Sequence, residues 1–365
     1  MNPTSSGNTT FRLLITGGAG FIGASVGISL ARKHPEWEVT ALDNLHRRGS
    51  ELNLPRLEEA GVSFVEGDVR RPNDLLPDEE FDAILECSAE PSVLAGAGDP
   101  GYAIETNLMG AANCLERCRK DDAHLVFLST SRVYPVGGLL DLELEDRETR
   151  FEITPEQLVP GASAEGISED FGLSGYRTIY GSTKLAAEML IEEYIEDYGL
   201  RATVDRCGVV AGPWQMGKVD QGVFAWWLLC HLFERPLSYI GFGGSGKQVR
   251  DLLHVMDLVD LIEDQLENPG EWAGVVANVG GGTEGSLSLI ETTELCQGIT
   301  GNEVEIGSVP ETRPGDVPVY ISDCSKLYSM TDWRPLRKPE QVLQDLYEWA
   351  MEHEAELKPS LGFGD

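Results

Sequence analysis

Basic residues are scarce in this chain. The 28 Lys and Arg stand against 61 Asp and Glu, a formal net charge of −33, and only 8 of the 28 are lysines. A surface of that sign repels the phosphates of DNA and RNA, so no nucleic-acid partner is expected. Two origins fit the charge. One is a high-salt cytoplasm, where screening removes the self-repulsion; the other is an ordinary acidic protein, and composition does not choose between them. Long apolar runs are missing too: the longest, Val223 to Phe233, is too short to cross a bilayer and is interrupted by His231. No membrane partner is expected. The seven cysteines are scattered, odd in number and never in a CxxC pair, which argues against a disulfide framework and against a zinc or other metal site and fits a reducing cytoplasm. The opening MNPTSSGNTT has neither a basic region nor an apolar run, so it reads as a disordered tail rather than a signal peptide.

What is present is a regular alternation. Short apolar runs at 11–16, 38–43, 62–67, 81–86, 124–130 and 202–206 read as strands, with helix-length segments between most of them. That pattern predicts an α/β domain over 11–206, a doubly wound parallel (Rossmann) sheet covered on both faces. After Gly208 the regularity is lost. The loops GGSGKQ and GGGTEG and the helical patterns at 257–267 and 287–298 predict a smaller C-terminal substrate domain over 207–350, with segments around 248–282 returning to the first domain. Residues 1–10 and 354–365 read as tails. The stretch 135–175, rich in Gly, Pro, Ser and acids, is too long for a connector and reads as an insertion near the site, either a lid or a disordered loop.

LLITGGAGFIG places Gly17, Gly18, Gly20 and Gly23 between the first strand and a helix that opens with Phe21 and Ile22. Glycines there permit a tight turn, close approach of backbone to a pyrophosphate, and packing of helix on strand, while the helix N-terminus favours the anion. Asp43 ends the second strand 20 residues after Gly23, followed by Asn44; its carboxylate suits the ribose hydroxyls and repels a 2′-phosphate, which selects NAD over NADP. Arg47 and Arg48 are the complication, since either could accommodate that phosphate. Asp68 and Val69, after the third strand, suit the adenine edge, or Asp68 simply caps the next helix.

YGSTK puts Tyr180 and Lys184 on one face of a helix. A tyrosine is a poor base at neutral pH, but a neighbouring ammonium and a positive nicotinamide ring favour its phenolate, so Tyr180 can take a proton from a substrate hydroxyl. Thr130, at the end of the fifth strand, would steady the developing carbonyl; the bland alternative is a β-branched residue ending a strand.

With these motifs the chain resembles the extended short-chain dehydrogenase/reductase family of nucleotide-sugar epimerases and dehydratases. The resemblance runs from about Phe11 to Trp349, over TGGAGFIG, LDN, GDV, STSRVY, YGSTK, GKQVRDLLHVMDL, NVGGG and RPGDVPVYISD. It implies that Arg250 and Arg313 hold the diphosphate of a nucleotide sugar and Asp316 the nucleoside ribose, although an isolated Arg more often pairs with a surface acid. It also implies a homodimer through segments 103–119 and 177–198, unless their apolar faces are used within the monomer.

Over 206–222, GKQVRDLLH and 285–289 the resemblance is to the CDP-sugar 2-epimerase branch, with UDP-sugar 4-epimerases next and lyases behind; a non-catalytic NAD-binding protein is the reading from another class. The branch has Ser-Thr-Asn-Lys-Val-Tyr at the fifth strand end, where 4,6-dehydratases have Ser-Thr-Asp-Glu-Val-Tyr. Here the residues are Ser131 and Arg132, with no acid for an elimination; Arg132 is expected at the substrate or in a salt bridge to the acidic insertion. Glu86-Cys87-Ser88-Ala89 replaces the family's usual His-x-Ala-Ala.

Overall fold

A computed structural model of the chain describes residues 10–217 and 221–362, the side chains of 93–95 and 360 excepted. The predicted tail 1–10, save its last residue, and positions 218–220 of the 206–222 motif lie outside the described residues.

All six predicted strands form: Arg12–Thr16, Glu38–Asp43, Ser63–Glu66, Ala83–Glu86, His124–Thr130 and Ala202–Cys207. A seventh, Val275–Val279, joins them from the C-terminal half, and the parallel sheet runs seventh, sixth, fifth, fourth, first, second, third. The order reverses between the first and fourth strands, and a crevice at such a switch point is where open α/β sheets bind ligands. Alternation along each strand sends neighbours to opposite faces. Leu13 and Ile15 bury with helices Phe21–Lys33 and Val255–Glu267, whereas Leu14 and Phe127 bury with helices Gly110–Asp121 and Ile179–Tyr198. Both faces being covered, the strands read as nearly continuous apolar runs.

Strand Val249–His254 centres a second sheet, parallel to Val209–Ala211 and Val319–Tyr320 and antiparallel to Ser286–Ser288. The stretch expected to return around 248–282 therefore divides: this strand stays with the second sheet, while the helix and strand after it rejoin the first. Helices Val223–Leu232, Leu289–Thr300 and Pro339–Glu352 close a third core around Leu228, Cys296 and Leu346.

Two expectations are corrected. Residues 354–361 of the expected C-terminal tail form helix Glu354–Leu361, which buries Leu357 in that core and receives a hydrogen bond from Arg48 on the Pro359 carbonyl. The insertion is an ordered, packed segment rather than a disordered loop. It forms helix Val136–Leu140 and two hairpins, and buries Leu139, Ile153 and Phe171 against Val317 and Tyr320. Its backbone is bonded to the C-terminal half, Phe151 N–H to Lys247 O at 2.9 Å and Ile167 N–H to Ile321 O at 2.8 Å.

Candidate active site

The first strand gives way to a turn with Gly17 at φ +64°, and the helix opens at Phe21 with Gly20 as N-cap and no side chain on its first amides. A Cβ on Gly23 would lie 2.4 Å from the Gly17 carbonyl oxygen, and one on Gly18 2.6 Å from Ala41 Cβ, so only glycines allow this approach. The amides left open suit a phosphate. Phe21 and Ile22 pack against the core behind the turn. Asp43, buried at the strand end, accepts from the Ala19 N–H at 3.1 Å and the Leu45 N–H at 2.8 Å. Burial raises its carboxyl above the usual range, and these amides hold it back. Open amides beside a fixed carboxylate are the donor and acceptor set of a dinucleotide's pyrophosphate and ribose.

The arginines that complicated cofactor choice are engaged elsewhere. Arg47 reaches Gln221 Oε1 at 2.6 Å, and Arg48 reaches Pro359. Asp68 serves its own loop: it accepts from the Arg70 guanidinium and amide and from Asn44 Nδ2, and chiefly the guanidinium holds its carboxyl well below the usual range. Val69 is buried against Gly110, where a Cβ would meet its Cγ2 at 2.8 Å.

Thr130, Tyr180 and Lys184 come together. Helix Ile179–Tyr198 is capped by Thr178, whose hydroxyl accepts from the Gly181 N–H at 3.2 Å, and a Cβ on Gly181 would lie 2.0 Å from the Arg132 carbonyl oxygen. Glycine thus lets the helix press onto the turn after the fifth strand, which sets the Tyr180 hydroxyl beside Thr130. Burial raises the Tyr180 hydroxyl above its ordinary value, while the Lys184 ammonium and Thr130 pull it down. Lys184, one turn on, is 1% exposed, with Nζ 4.3 Å above the Phe127 ring and 3.2 Å from Glu86 Oε2. Burial works against that ammonium, and Glu86 with Tyr180 more than restores it.

Three features escaped the sequence reading. Glu86 registered there only as a departure from a motif. Asn107, fully buried in the π-helical turn Glu105–Met109, accepts from the Glu90 N–H at 2.7 Å and donates to Thr183 Oγ1 at 3.1 Å, tying the loop after the fourth strand to helix Ile179–Tyr198. Arg206 forks onto Glu188, Nη2 to Oε2 at 2.7 Å; Ser129 also donates to Glu188, and Tyr134 donates to Asn278 Oδ1 at 2.7 Å. This network fixes both ends of STSRVY, and its only sequence signal was a pair of charges inside apolar elements.

Beyond Thr130 lies a cleft lined by Ser131, Arg132, Thr178, Val209, Arg250 and Tyr320 among others. Arg132 donates to the Gly315 carbonyl oxygen at 2.9 Å, not to an acid of the insertion. Arg250 pairs with Asp316 at 2.7 Å, so two of the three residues carried over for the nucleotide hold each other, and burial lowers the Arg250 guanidinium below its ordinary value. Arg313 is half-buried outside that lining, its carbonyl accepting from the Asp316 N–H at 3.1 Å.

Comparison with known proteins agrees with this geometry. The profile of the NAD dependent epimerase/dehydratase family matches residues 13–280. The chain is 29% identical to CDP-paratose 2-epimerase of Salmonella typhi, covering 93% of this chain and 98% of that protein. It is 30% identical to dTDP-glucose 4,6-dehydratase of Mycobacterium tuberculosis, over 95% of this chain and 96% of that one. Among solved structures, UDP-glucose 4-epimerase of Thermus thermophilus, a complex with NAD, aligns with a TM-score of 0.73 at 27% identity, over 93% of this chain and 98% of that one. The chain belongs to the NAD dependent epimerase/dehydratase family, and its cofactor is NAD.

Proposed function

We propose that this protein is a nucleotide-sugar epimerase that oxidises one sugar carbon transiently and returns the hydride to its opposite face, acting on a CDP-sugar at carbon 2. One observation carries the choice. The cleft beside Thr130 is lined by Ser131, Arg132, Thr178 and Arg250 with apolar residues, and no Asp or Glu is among its described lining residues. A 4,6-dehydratase must take a proton from the carbon beside its keto group and give one to the departing hydroxyl, work for a carboxyl pair. Ser131 and Arg132 do not perform it at neutral pH.

Bound NAD supplies the hydride acceptor that later gives the same hydride back. Tyr180 takes the hydroxyl proton onto its phenolate oxygen as the hydride leaves the carbon. Thr130 donates to the oxygen as it becomes a carbonyl, and Lys184 favours the phenolate form beforehand. After the flat keto sugar turns over, Tyr180 returns the proton to the oxygen, so atoms and electrons are conserved and only configuration changes. Arg250, Arg132 and Arg313 are the cations suited to the diphosphate, and Asp316 to the ribose; Arg250 exchanges its bond to Asp316 for the phosphate oxygens.

Ile104, Met109, Ile179, Met189 and Tyr198 are exposed on the helical segments 100–121 and 179–198, which supports a homodimer through that face. The likeness to the Thermus thermophilus enzyme favours a UDP-sugar 4-epimerase as second reading. Incubation with CDP-, UDP- and GDP-sugars in deuterated water tests all of this. The expected product is an epimer without solvent deuterium at carbon; deuterium at carbon, or a keto-deoxy product, overturns the proposal. Tyr180→Phe is expected to lose several orders of magnitude in turnover while still binding NAD.

A further inference from the structure

Lys184 does not stand alone behind Tyr180. Glu86, at the C-terminal end of the fourth strand, is 0% exposed, in register between Thr16 and Phe127 of the flanking strands, and its Oε2 lies 3.2 Å from Lys184 Nζ. Burial raises the Glu86 carboxyl above its ordinary value and Lys184 draws it back, while Glu86 and Tyr180 both support the Lys184 ammonium against burial. Charge counting then separates two situations. Tyr180, Lys184 and Glu86 together are neutral at rest and reach −1 when Tyr180 loses its proton, the positive nicotinamide ring adding the same charge with or without Glu86. Glu86 also acts on Tyr180 directly, its negative charge opposing a phenolate there, so with Lys184 still protonated the loss of Glu86 makes the phenolate the easier state to form.

We propose that Glu86 is a positioning residue of the reaction: it anchors the Lys184 ammonium and sets how much of that charge reaches the Tyr180 hydroxyl. The other titratable neighbours are silent. Burial pushes the thiols of Cys87, next in the strand, Cys114, on helix Gly110–Asp121, and Cys207, at the end of the sixth strand, well above their ordinary range, so they stay neutral. Asp43, Asp205 and Asp251 act on those thiols from further out. Lys184 is the cation facing Tyr180, and Glu86 the anion that competes for it. The functional consequence is that Glu86 moves the rising limb of the pH–rate profile towards higher pH.

The inference rests on Tyr180 as the base, and the experiment keeps the two apart. The holoenzyme is titrated by the near-ultraviolet absorbance of tyrosinate, and subtraction of the matching Tyr180→Phe protein isolates Tyr180. In Glu86→Gln the midpoint is expected to fall by on the order of one pH unit, with the rising limb of kcat falling by the same amount. Glu86→Asp, which keeps the charge but withdraws it from Lys184, is expected to lie between wild type and Glu86→Gln. An unmoved or raised midpoint in folded Glu86→Gln overturns the proposal. Should that variant not fold, an unmoved midpoint in Glu86→Asp overturns it equally. Full turnover by Tyr180→Phe would instead refute the base assignment and leave the titration to judge Glu86 by itself.

Discussion

Asp205 offers a measurable charge effect inside the sheet. It is 0% exposed in the sixth strand, its Oδ1 accepts from Gln265 Nε2 at 2.9 Å, and Oδ2 has no partner. Burial pushes its carboxyl from 3.8 up to about 7, opposed only by Gln265. A folded-state value above the unfolded one means that stability from this group is complete below about pH 4 and is lost as pH rises towards 7. At about 1.4 kcal/mol per unit, the ionised form costs on the order of 4 kcal/mol above pH 8 and roughly 2 at pH 5. Asp205→Asn removes the titration, keeps the accepted bond, and offers an N–H to Gln265 Oε1, which also lacks a partner. Its gain over wild type is therefore expected to grow by about 2–3 kcal/mol between pH 5 and pH 8. For a chain of this size that is a rise of roughly 2–4 °C in the melting-temperature difference, read by scanning calorimetry at both values. The comparison with wild type cancels the acidic surface. A gain equal at both pH values, or a loss at pH 8, refutes the burial argument.

Glu188→Gln strips Arg206 of its forked partner and is expected to cost about 3–5 kcal/mol in denaturant unfolding, since a guanidinium is left buried. A cost below about 1 kcal/mol would mean that water reaches the pair. Gly181→Ala sets a methyl against the Arg132 carbonyl and is expected to lower kcat at least tenfold with NAD affinity kept, measured by turnover and cofactor titration. Melting across a salt series is expected to show Tm rising with salt if the −33 charge reflects a high-salt host; a flat series assigns it to an ordinary acidic protein.

The first six strands of the sheet, the glycine-rich turn, the strand end at Asp43 and the positions of Thr130, Tyr180 and Lys184 were readable because each depends on local pattern: alternation, a turn, or one helical repeat. What was not readable depends on partners far along the chain. Glu86 meets Lys184 98 residues away, Arg250 meets Asp316 66 away, and the insertion meets 321 from 167. Composition suggested that 135–175 was loose because polar residues and glycines dominate it; its few apolar side chains, Leu139, Ile153 and Phe171, decide otherwise by finding Val317 and Tyr320. The C-terminal helix was missed for a similar reason, its buried contact resting on Leu357 against a core built elsewhere.

The insertion leaves the sheet at Pro135, just after Thr130, and returns at Thr178, just before Tyr180, so the two hydroxyls sit at opposite ends of one long excursion. Its middle is fastened to Lys247, Ile321 and Asn278. A ribosome that has made only the first 207 residues has thus released the whole glycine-rich turn with Asp43, but nothing to which that excursion can be tied. The contact of Gly181 with the Arg132 carbonyl lies within those residues, so Tyr180 can already approach Thr130; what waits for the last third of the polypeptide is Arg250 and Tyr320, which line the cleft.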